Sequence, residues 1–334
     1  MTDAIEAEGL IKTYPGGVRA LDGIGFGVEA GTVFGLLGPN GAGKSTTVKI
    51  LTTLSRPDAG RAGVEGFDVL KSPDRVRRVI GVVAQRSGVD REATGRENVR
   101  LQGQLYGMGG KGLERRVDEL LERFGLSEAA DRVARGYSGG MQRRLDIALG
   151  LVHRPRVLFL DEPTTGLDPE VRAGMWGMIT RLAADEGLTI LLTTHYLEEA
   201  DRLARRLAIV DQGRIVARGT PEQLKAELRG DAIQVELADV QANGDVHEAL
   251  GPLVEVREVV VDGRALRARA DDGARAVPVV LQALESRGVG VTSVRVSRPS
   301  LDDVYLRHTG RSFTEADRAG EAPQPDDRTK EAQR

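Results

Sequence analysis

The feature that most constrains the fold is a glycine-rich loop that follows an apolar strand and opens a helix. Residues 38–45 read Gly-Pro-Asn-Gly-Ala-Gly-Lys-Ser, which matches the pattern G-x-x-x-x-G-K-[ST], and the apolar run Val33–Leu37 precedes them. The glycines let successive backbone N–H groups converge on an anion, and the helix N-terminus adds its partial positive charge. This strand–loop–helix unit predicts a phosphate-binding loop (P-loop) in an α/β domain. The residues expected to contact a nucleotide here are Gly38, Pro39, Asn40, Gly41, Ala42, Gly43, Lys44, Ser45 and Thr46.

A second acidic element completes the predicted phosphate site. The apolar run 157–160 ends in Asp161 and Glu162. Beside a P-loop, Asp161 is expected to hold Mg²⁺ through water, and the Ser45 hydroxyl is expected to ligate the same ion. Lys44 would reach the β- and γ-phosphates, and Glu162 would polarise the attacking water. The alternative is that Asp161 and Glu162 only cap the next helix.

The order of apolar runs indicates one larger α/β domain over residues 1–225. Five short runs are strand-like and nearly continuous, as in a parallel sheet covered on both faces: 33–37, 79–84, 157–160, 189–192 and 207–210. A helix is predicted over 44–54. Residues 94–134 show only helical spacing, beginning at a capping box formed by Thr94 and Glu97. We therefore expect a helical subdomain, at about 86–145, inserted into the α/β core.

The pattern changes after residue 231. Alternating strand-like and helical runs, with a hairpin turn at Asp262-Gly263, follow the order βαββαβ, which is typical of the ferredoxin-like arrangement. Ser300 and Asp303 then form a second capping box before a last helix. The sequence predicts a small α+β domain over 231–309. Residues 310–334 are rich in charge, Pro and Gln and are predicted to be a disordered tail.

Composition excludes several classes of protein. The 334 residues carry a formal charge of −3, which argues against a dedicated nucleic-acid binder. The chain has no cysteine, so a disulfide scaffold and a thiolate metal site are excluded. No apolar run approaches the roughly 18 residues that a membrane span needs. We expect a cytoplasmic protein that reaches a membrane only through a partner.

A third motif points to a family. Residues 137–142, called the signature here, read Tyr-Ser-Gly-Gly-Met-Gln before a helical run, with Ser138 placed to cap that helix and with Gly139 and Gly140 free to bind an anion. This resembles the signature of ATP-binding cassette (ABC) ATPases, although the common form is Leu-Ser-Gly-Gly-Gln. The resemblance implies roles for four further residues: Tyr14 stacks on adenine, Gln85 is the Q-loop glutamine that touches Mg²⁺ and water, Asp168 belongs to the D-loop, and His195 is the switch histidine.

Within that family the chain is most similar to the ATPase subunits of daunorubicin/doxorubicin-resistance-type exporters. The resemblance rests on the signature with its following Arg-Arg-Leu-Asp-Ile-Ala, on residues 194–201, and on Arg-Pro-Ser-Leu-Asp-Asp-Val-Tyr-Leu at 298–306. It implies a homodimer in which each ATP lies between the P-loop of one chain and the signature of the other. It also implies a separate membrane permease, export of a drug, antibiotic or lipid-like compound, and a peripheral place on the cytoplasmic side of the cell membrane.

Rival functions remain at this point. A soluble ABC ATPase of DNA repair or translation would carry two cassettes or a long coiled coil, and this chain has neither pattern. An importer ATPase would end in a small β-barrel, and a GTPase would carry an N-K-x-D motif, which is missing. The last domain either has a dimer-stabilising or regulatory role or binds drug, and its low aromatic content disfavours drug binding.

Overall fold

The computed structural model describes residues 3–239, 243–254 and 256–320, which form two compact units. The first unit contains the residues up to Pro221 and those from His308 onward, and the second is Glu222–Arg307. The strands of the first unit are β1 Asp3–Tyr14, β2 Val18–Glu29, β3 Val33–Leu37, β4 Ala59–Val64, β5 Phe67–Asp68, β6 Ile80–Val83, β7 Val157–Asp161, β8 Thr189–Thr194, β9 Arg206–Asp211 and β10 Arg214–Gly219. Its helices are α1 Lys44–Leu51, α2 Pro73–Val79, α3 Gly95–Leu105, α4 Gly110–Arg123, α5 Gly139–Leu151, α6 Pro169–Glu186 and α7 Leu197–Leu203, and α8 Pro221–Ala226 spans the boundary.

A six-stranded sheet forms the centre of the first unit. Its strand order is β10-β9-β3-β8-β7-β6, and the five strands other than β10 run parallel. The five strands predicted from apolar runs are confirmed as β3, β6, β7, β8 and β9. Strands β3, β7 and β8 are buried at every position, as expected for a sheet covered on both faces. Because the carboxyl ends of parallel strands meet at one edge, the P-loop and the segments after β6, β7 and β8 come together there.

A second, antiparallel sheet in the order β2-β1-β4-β5 was missed in the sequence analysis. Strand β1 pairs with β2 through several register shifts, including one between Ala7 and Leu10. Such bulges interrupt the alternation of apolar and polar residues that identifies a strand. The alternation of Ile24, Phe26 and Val28 in β2 was a usable signal.

The helical insertion lies between β6 and α5. Helices α3 and α4, followed by two 3₁₀ turns, occupy it, and the Thr94 capping box is present as predicted. Apolar residues of α4 and of the turn after it, among them Leu120 and Phe124, are buried in the same cluster as β7 and β8, whereas Leu101 and Leu105 of α3 are exposed. Helix α1 is shorter than predicted: it ends at Leu51, because Thr53 adopts a left-handed conformation with φ 66°.

The second unit has the predicted ferredoxin-like arrangement. Its elements are β11 Asp231–Leu237, α9 Asn243–Leu250, β12 Val256–Asp262, β13 Ala265–Ala270, α10 Gly273–Ser286 and β14 Val291–Ser297, and α11 Leu301–Thr309 spans its boundary at Arg307. The antiparallel sheet has the order β12-β13-β11-β14, and α9 and α10 contribute to one apolar cluster with it. The second capping box is confirmed, because Ser300 N–H donates to Asp303 and Asp303 N–H donates to Ser300 Oγ.

The predicted disordered tail needs a correction over part of its length. A helix, α12 Phe313–Gly320, occupies residues that composition alone placed in the tail, while 321–334 lie outside the described residues. Phe313 and Ala316 are buried, so packing stabilises a helix that the charge-rich composition of the segment does not predict. No helix in the described ranges has both the length and the apolar character needed to cross a bilayer.

Candidate nucleotide site

The P-loop has the backbone shape that its glycines were expected to allow. Gly41 and Gly43 have φ of 77° and 108°, values that favour glycine. A Cβ at Gly43 would lie 2.6 Å from Ala20 O, and one at Gly38 would lie 2.3 Å from Val210 O. The loop can therefore pack this closely against neighbouring backbone only because these positions carry no side chain, and α1 begins directly after it at Lys44.

Lys44 is buried and held by oxygen atoms. Its Nζ donates to Gly38 O at 2.7 Å and to Pro39 O at 3.1 Å, and lies 3.4 Å from Glu162 Oε1. Burial lowers the pKa of Lys44, and the neighbouring carboxylate of Glu162 opposes this effect. A buried cation paired with carbonyl dipoles and one carboxylate is ready to exchange those partners for a phosphate.

Glu162 is the centre of the polar cluster. Gln85 Nε2 donates to its Oε2 at 3.2 Å, Thr165 Oγ1 donates to the same oxygen at 3.3 Å, and His195 Nδ1 lies 3.3 Å from it. Burial raises the pKa of Glu162, but the His195 ring and the Lys44 ammonium outweigh it and lower the pKa to about 2. Glu162 also has φ 49°, a left-handed conformation uncommon for a residue with a side chain and enriched at functional sites.

Asp161 and Ser45 meet as their motifs predicted. Ser45 Oγ donates to Asp161 Oδ1 at 3.2 Å, which places a hydroxyl and a carboxylate side by side. Thr193, which the sequence analysis missed, donates to the same Asp161 oxygen at 2.5 Å and accepts from Glu162 N–H at 3.0 Å. Hard oxygen ligands of this kind suit Mg²⁺.

Tyr14 lies beside the P-loop. Its hydroxyl is 3.5 Å from Thr46 Oγ1, and Lys12 Nζ lies 5.9 Å from the centre of its ring. The antiparallel sheet supplies this aromatic side chain, because Tyr14 is the last residue of β1.

Ser138 caps α5 as predicted, and the signature lies against residues 167–171 of the same chain, which are called the D-loop segment here. Ser138 caps α5 by accepting from Met141 N–H at 3.2 Å. A Cβ at Gly139 would lie 3.6 Å from Leu167, and one at Gly140 would lie 2.6 Å from Val171. Asp168 caps α6 by accepting from Val171 N–H at 2.9 Å, so its carboxylate already has a structural role.

The sequence analysis missed Arg143, one turn into α5. This side chain is 8% exposed and donates to four carbonyl oxygens on two other segments: Ala84 O at 2.7 Å, Pro163 O at 2.8 Å, Asp161 O at 3.0 Å and Glu162 O at 3.2 Å. Arg143 thus joins the signature helix to the residue before Gln85 and to the end of β7. A signal existed: Arg143 is in phase with Ile147 and Leu151, both buried.

Comparisons with known proteins identify the family of this chain. The family model described as ABC transporter matches residues 21–165, and the one described as ATP-binding protein DrrA1-3-like, C-terminal domain, matches 219–309. A daunorubicin resistance ATP-binding protein of Streptomyces coeruleorubidus is 48% identical over 307 residues, covering 92% of this chain and 96% of that protein. A Nod factor export ATP-binding protein of Ralstonia nicotianae is 39% identical, covering 93% and 95%.

A solved structure extends the likeness to three dimensions. The dimeric post-hydrolysis state of an ATP-binding cassette bound to ADP and Pi aligns with a TM-score of 0.59 and 25% identity, over 65% of this chain and 98% of that one. The matches include both the P-loop unit and the C-terminal unit, so the predicted fold class and family are confirmed. The chain belongs to the family of ABC transporter ATP-binding subunits, ATPases that here carry a C-terminal domain of the daunorubicin-resistance type.

Proposed function

We propose that this chain is the ATP-hydrolysing subunit of an exporter, which works as a head-to-tail homodimer with two Mg-ATP and drives a separate membrane permease. The observation that carries the proposal is the convergence of Lys44, Gln85, Glu162 and His195 at the carboxyl edge of the parallel sheet. A phosphate-binding cation, a carboxylate and two polar side chains around that carboxylate form a set suited to transfer of a phosphoryl group to water.

The residues fit both ATP and its cation. Gly38 and Gly43 let the loop pack against the backbone of Val210 and Ala20, and the backbone N–H groups of the P-loop can then bind triphosphate oxygens. Ser45, Asp161 and the Gln85 amide offer oxygen ligands for Mg²⁺, which neutralises phosphate charge when bound. Tyr14 supplies the ring for adenine, and Thr46 lies next to it.

When ATP binds, Lys44 exchanges Glu162 for phosphate, and Glu162 becomes a stronger base. While Lys44 pairs with Glu162, the carboxylate has a pKa of about 2 and is a weak base. Phosphate oxygens compete for the Lys44 ammonium and draw it away from the carboxylate. Losing that cation raises the basicity of Glu162, which then orients and polarises the attacking water. Gln85 and His195 hold the water and the γ-phosphate oxygens so that the water attacks in line with the leaving oxygen.

The second chain completes each site. Gly139 and Gly140 lie against the D-loop segment of their own chain, and the first-turn N–H groups of α5 carry the positive end of the helix dipole. In a head-to-tail pair these groups meet the γ-phosphate on the partner subunit, with Asp168 beside them. ATP then holds the dimer together, and its hydrolysis releases it.

The cargo is a drug, an antibiotic or a lipid-like compound, moved by a permease that contacts the helical subdomain at about 86–145, including its first segment, residues 86–97. One relative is named for daunorubicin resistance and another for Nod factor export, which supports export over a soluble ABC ATPase not coupled to transport. The subunit sits peripherally on the cytoplasmic side of the membrane, reaches the membrane only through the permease and binds no nucleic acid. The C-terminal domain, at about 231–309, regulates or stabilises the dimer.

The deciding experiment traps the dimer. Glu162→Gln keeps the shape of the side chain but cannot polarise water as an anion, so hydrolysis should slow about 10²–10⁴-fold with ATP binding intact. Gel filtration with Mg-ATP should show a stable dimer for this variant and mostly monomer for the unmutated chain. Ser138→Arg in the same background should abolish the dimer while the monomer still binds ATP.

Each component of the proposal can fail separately. A trapped dimer that survives Ser138→Arg would exclude the head-to-tail arrangement. For the export component, the gene should be deleted together with a neighbouring permease gene. Unchanged drug tolerance and unchanged metabolite efflux in that strain would favour the soluble ABC ATPase.

A further inference from the structure

The last described helix, α12, touches the P-loop directly. Asp317 Oδ1 accepts from Asn40 N–H at 2.9 Å, so a carboxylate occupies one backbone donor of the loop. A Cβ at Gly320 would lie 2.1 Å from Asn40 O, which means that the end of α12 packs on the backbone of the same residue. Nothing in the P-loop motif calls for such a contact, which comes from a residue 277 positions away.

The segment that holds Asp317 in place is anchored at several points. Arg311 Nη2 donates to both carboxylate oxygens of Asp211, at 2.8 and 3.1 Å, and Asp211 ends β9 beside the P-loop strand. Ser312 and Glu315 form a capping box at the start of α12, with Ser312 N–H donating to Glu315 at 2.8 Å. Phe313 and Ala316 are 4% and 3% exposed.

The negative charge of Asp317 opposes the binding of phosphate to the P-loop. Asp317 places a negative charge on a loop whose N–H groups are arranged for phosphate, and its field also reaches Lys44, where it opposes the effect of burial on the pKa. ATP brings further negative charge to the same loop. The carboxylate and the phosphates therefore repel each other and need overlapping donors.

We propose that residues 311–320 form an autoinhibitory clamp, in which the Asp317 carboxylate acts as an internal anion on the P-loop and competes with the phosphates of ATP. The inference rests on the proposed function, because it takes the P-loop to be the ATP site. ATP displaces the clamp, and any event that lifts α12 raises the affinity of the subunit for ATP. The clamp thereby sets the ATP concentration at which the subunit becomes active.

Neutralising Asp317 tests the competition. In the full chain, Asp317→Asn keeps an oxygen that can accept from Asn40 N–H but removes the charge. We expect a fluorescent ATP analogue with Mg²⁺ to bind about 5–20-fold more tightly, since charged hydrogen bonds are much stronger than neutral ones, and the gain should shrink at high salt. Glu315→Gln is the matched control, because it removes an equal charge from α12 and retains a side chain suited to a capping box. The affinity of the Glu315→Gln variant for the ATP analogue should stay within about twofold of that of the unmutated chain.

A second measurement follows release of the helix. The chain has no cysteine, so Ala316→Cys introduces a single thiol at a buried position of α12. ATP should accelerate labelling of that thiol by a maleimide, and adding Lys44→Ala should remove the acceleration. The clamp is refuted if Asp317→Asn binds ATP no more tightly than the unmutated chain, or if ATP leaves the labelling rate unchanged. ATP binding that is insensitive to Lys44→Ala would instead overturn the proposed function.

Discussion

Replacing Arg143 should damage both the stability of the first unit and its catalysis, because this side chain supports two parts of the site at once. Its guanidinium is buried and gives four hydrogen bonds to carbonyl oxygens of residues 84 and 161–163. Burial lowers the pKa of Arg143, with Asp146 and Asp161 opposing that effect. Arg143→Met removes the donors and leaves four acceptors without them, three of which belong to the buried residues 161–163.

The size of the effect follows from those contacts. Hydrogen bonds to a charged group contribute about 1.5–3 kcal/mol each, so four give roughly 6–12 kcal/mol before the cost of burying the charge is subtracted. Removing the charge also removes that burial cost, which is several kcal/mol. The net loss for Arg143→Met should be about 3–5 kcal/mol, a shift in Tm of roughly 10 °C for a unit of this size. Arg143→Lys should lose about half as much free energy of unfolding, because one ammonium cannot reach acceptors on two segments.

Catalysis should fall further than binding. Because Arg143 bonds to residues 84 and 161–163, we expect it to position Gln85 and Glu162, and we expect its loss to leave the P-loop unaffected. For Arg143→Lys we expect ATPase activity to fall at least about tenfold, with ATP affinity within about threefold, because misplacement of water-orienting groups is costly. Urea unfolding can be followed by the fluorescence of Trp176, the single tryptophan, which is 5% exposed.

The control is the next residue in the chain. Arg144 donates to Phe124 O at 3.0 Å and is only partly buried, so Arg144→Lys should cost less than about 1 kcal/mol and leave the ATPase rate unchanged. If Arg143→Lys behaves like Arg144→Lys in both measurements, the four carbonyl contacts do not position the site.

Three further predictions concern Lys44, Tyr14 and Glu162 of the nucleotide site. Lys44→Ala should weaken ATP binding about 100-fold or more, because it deletes the buried cation of the P-loop; unchanged binding in a fluorescence assay would contradict the phosphate-loop assignment. Tyr14→Ala should weaken ATP and GTP alike by roughly 1–3 kcal/mol through lost stacking, and Tyr14→Phe should be nearly neutral, since the contact of its hydroxyl with Thr46 is long at 3.5 Å; equal damage from Phe and Ala would disprove stacking. The pKa of Glu162 is about 2 in the folded chain and 4.5 ordinarily, so its charge stabilises the fold above pH 4.5, and that contribution is lost as pH falls toward 2. Between neutral pH and pH 3, the unmutated chain should lose about 2 kcal/mol more free energy of unfolding than Glu162→Gln, and equal losses in urea titrations would contradict this coupling.

Local patterns predicted the P-loop, the parallel strands and the second unit, because each has a regular period or a fixed spacing. The geometry around Glu162 could not be predicted from local patterns. Gln85 and His195 follow different strands, and their proximity can be inferred only when the strand order of the sheet is known. Their association came from the resemblance to a family. Arg143 and Thr193 stayed hidden for a related reason: each bonds to groups far along the chain, and no local pattern distinguishes Arg143 from Arg144 except the phase of the helix.

Helix α12 shows the same limit for a charge-rich segment. Composition over 310–334 predicts disorder because it offers little apolar surface. Eight of those residues nevertheless form a helix, because Phe313 is buried and Arg311 finds Asp211, which is 100 positions earlier in the chain. The one local signal was the capping box at Ser312 and Glu315, which the sequence analysis did not weigh.

The contacts of Thr193 suggest how the site acts as a unit. Its hydroxyl joins Asp161, the proposed cation ligand, to the backbone N–H of Glu162, and His195 follows two residues later on the same strand end. A shift of the end of β8 therefore moves the cation ligand, the carboxylate and the histidine together. Lys44 opposes such a shift while it remains paired with Glu162, and phosphate removes that restraint. Binding and activation are thus one event in the proposed cycle, because the phosphate that occupies the P-loop also releases the carboxylate that will act on water.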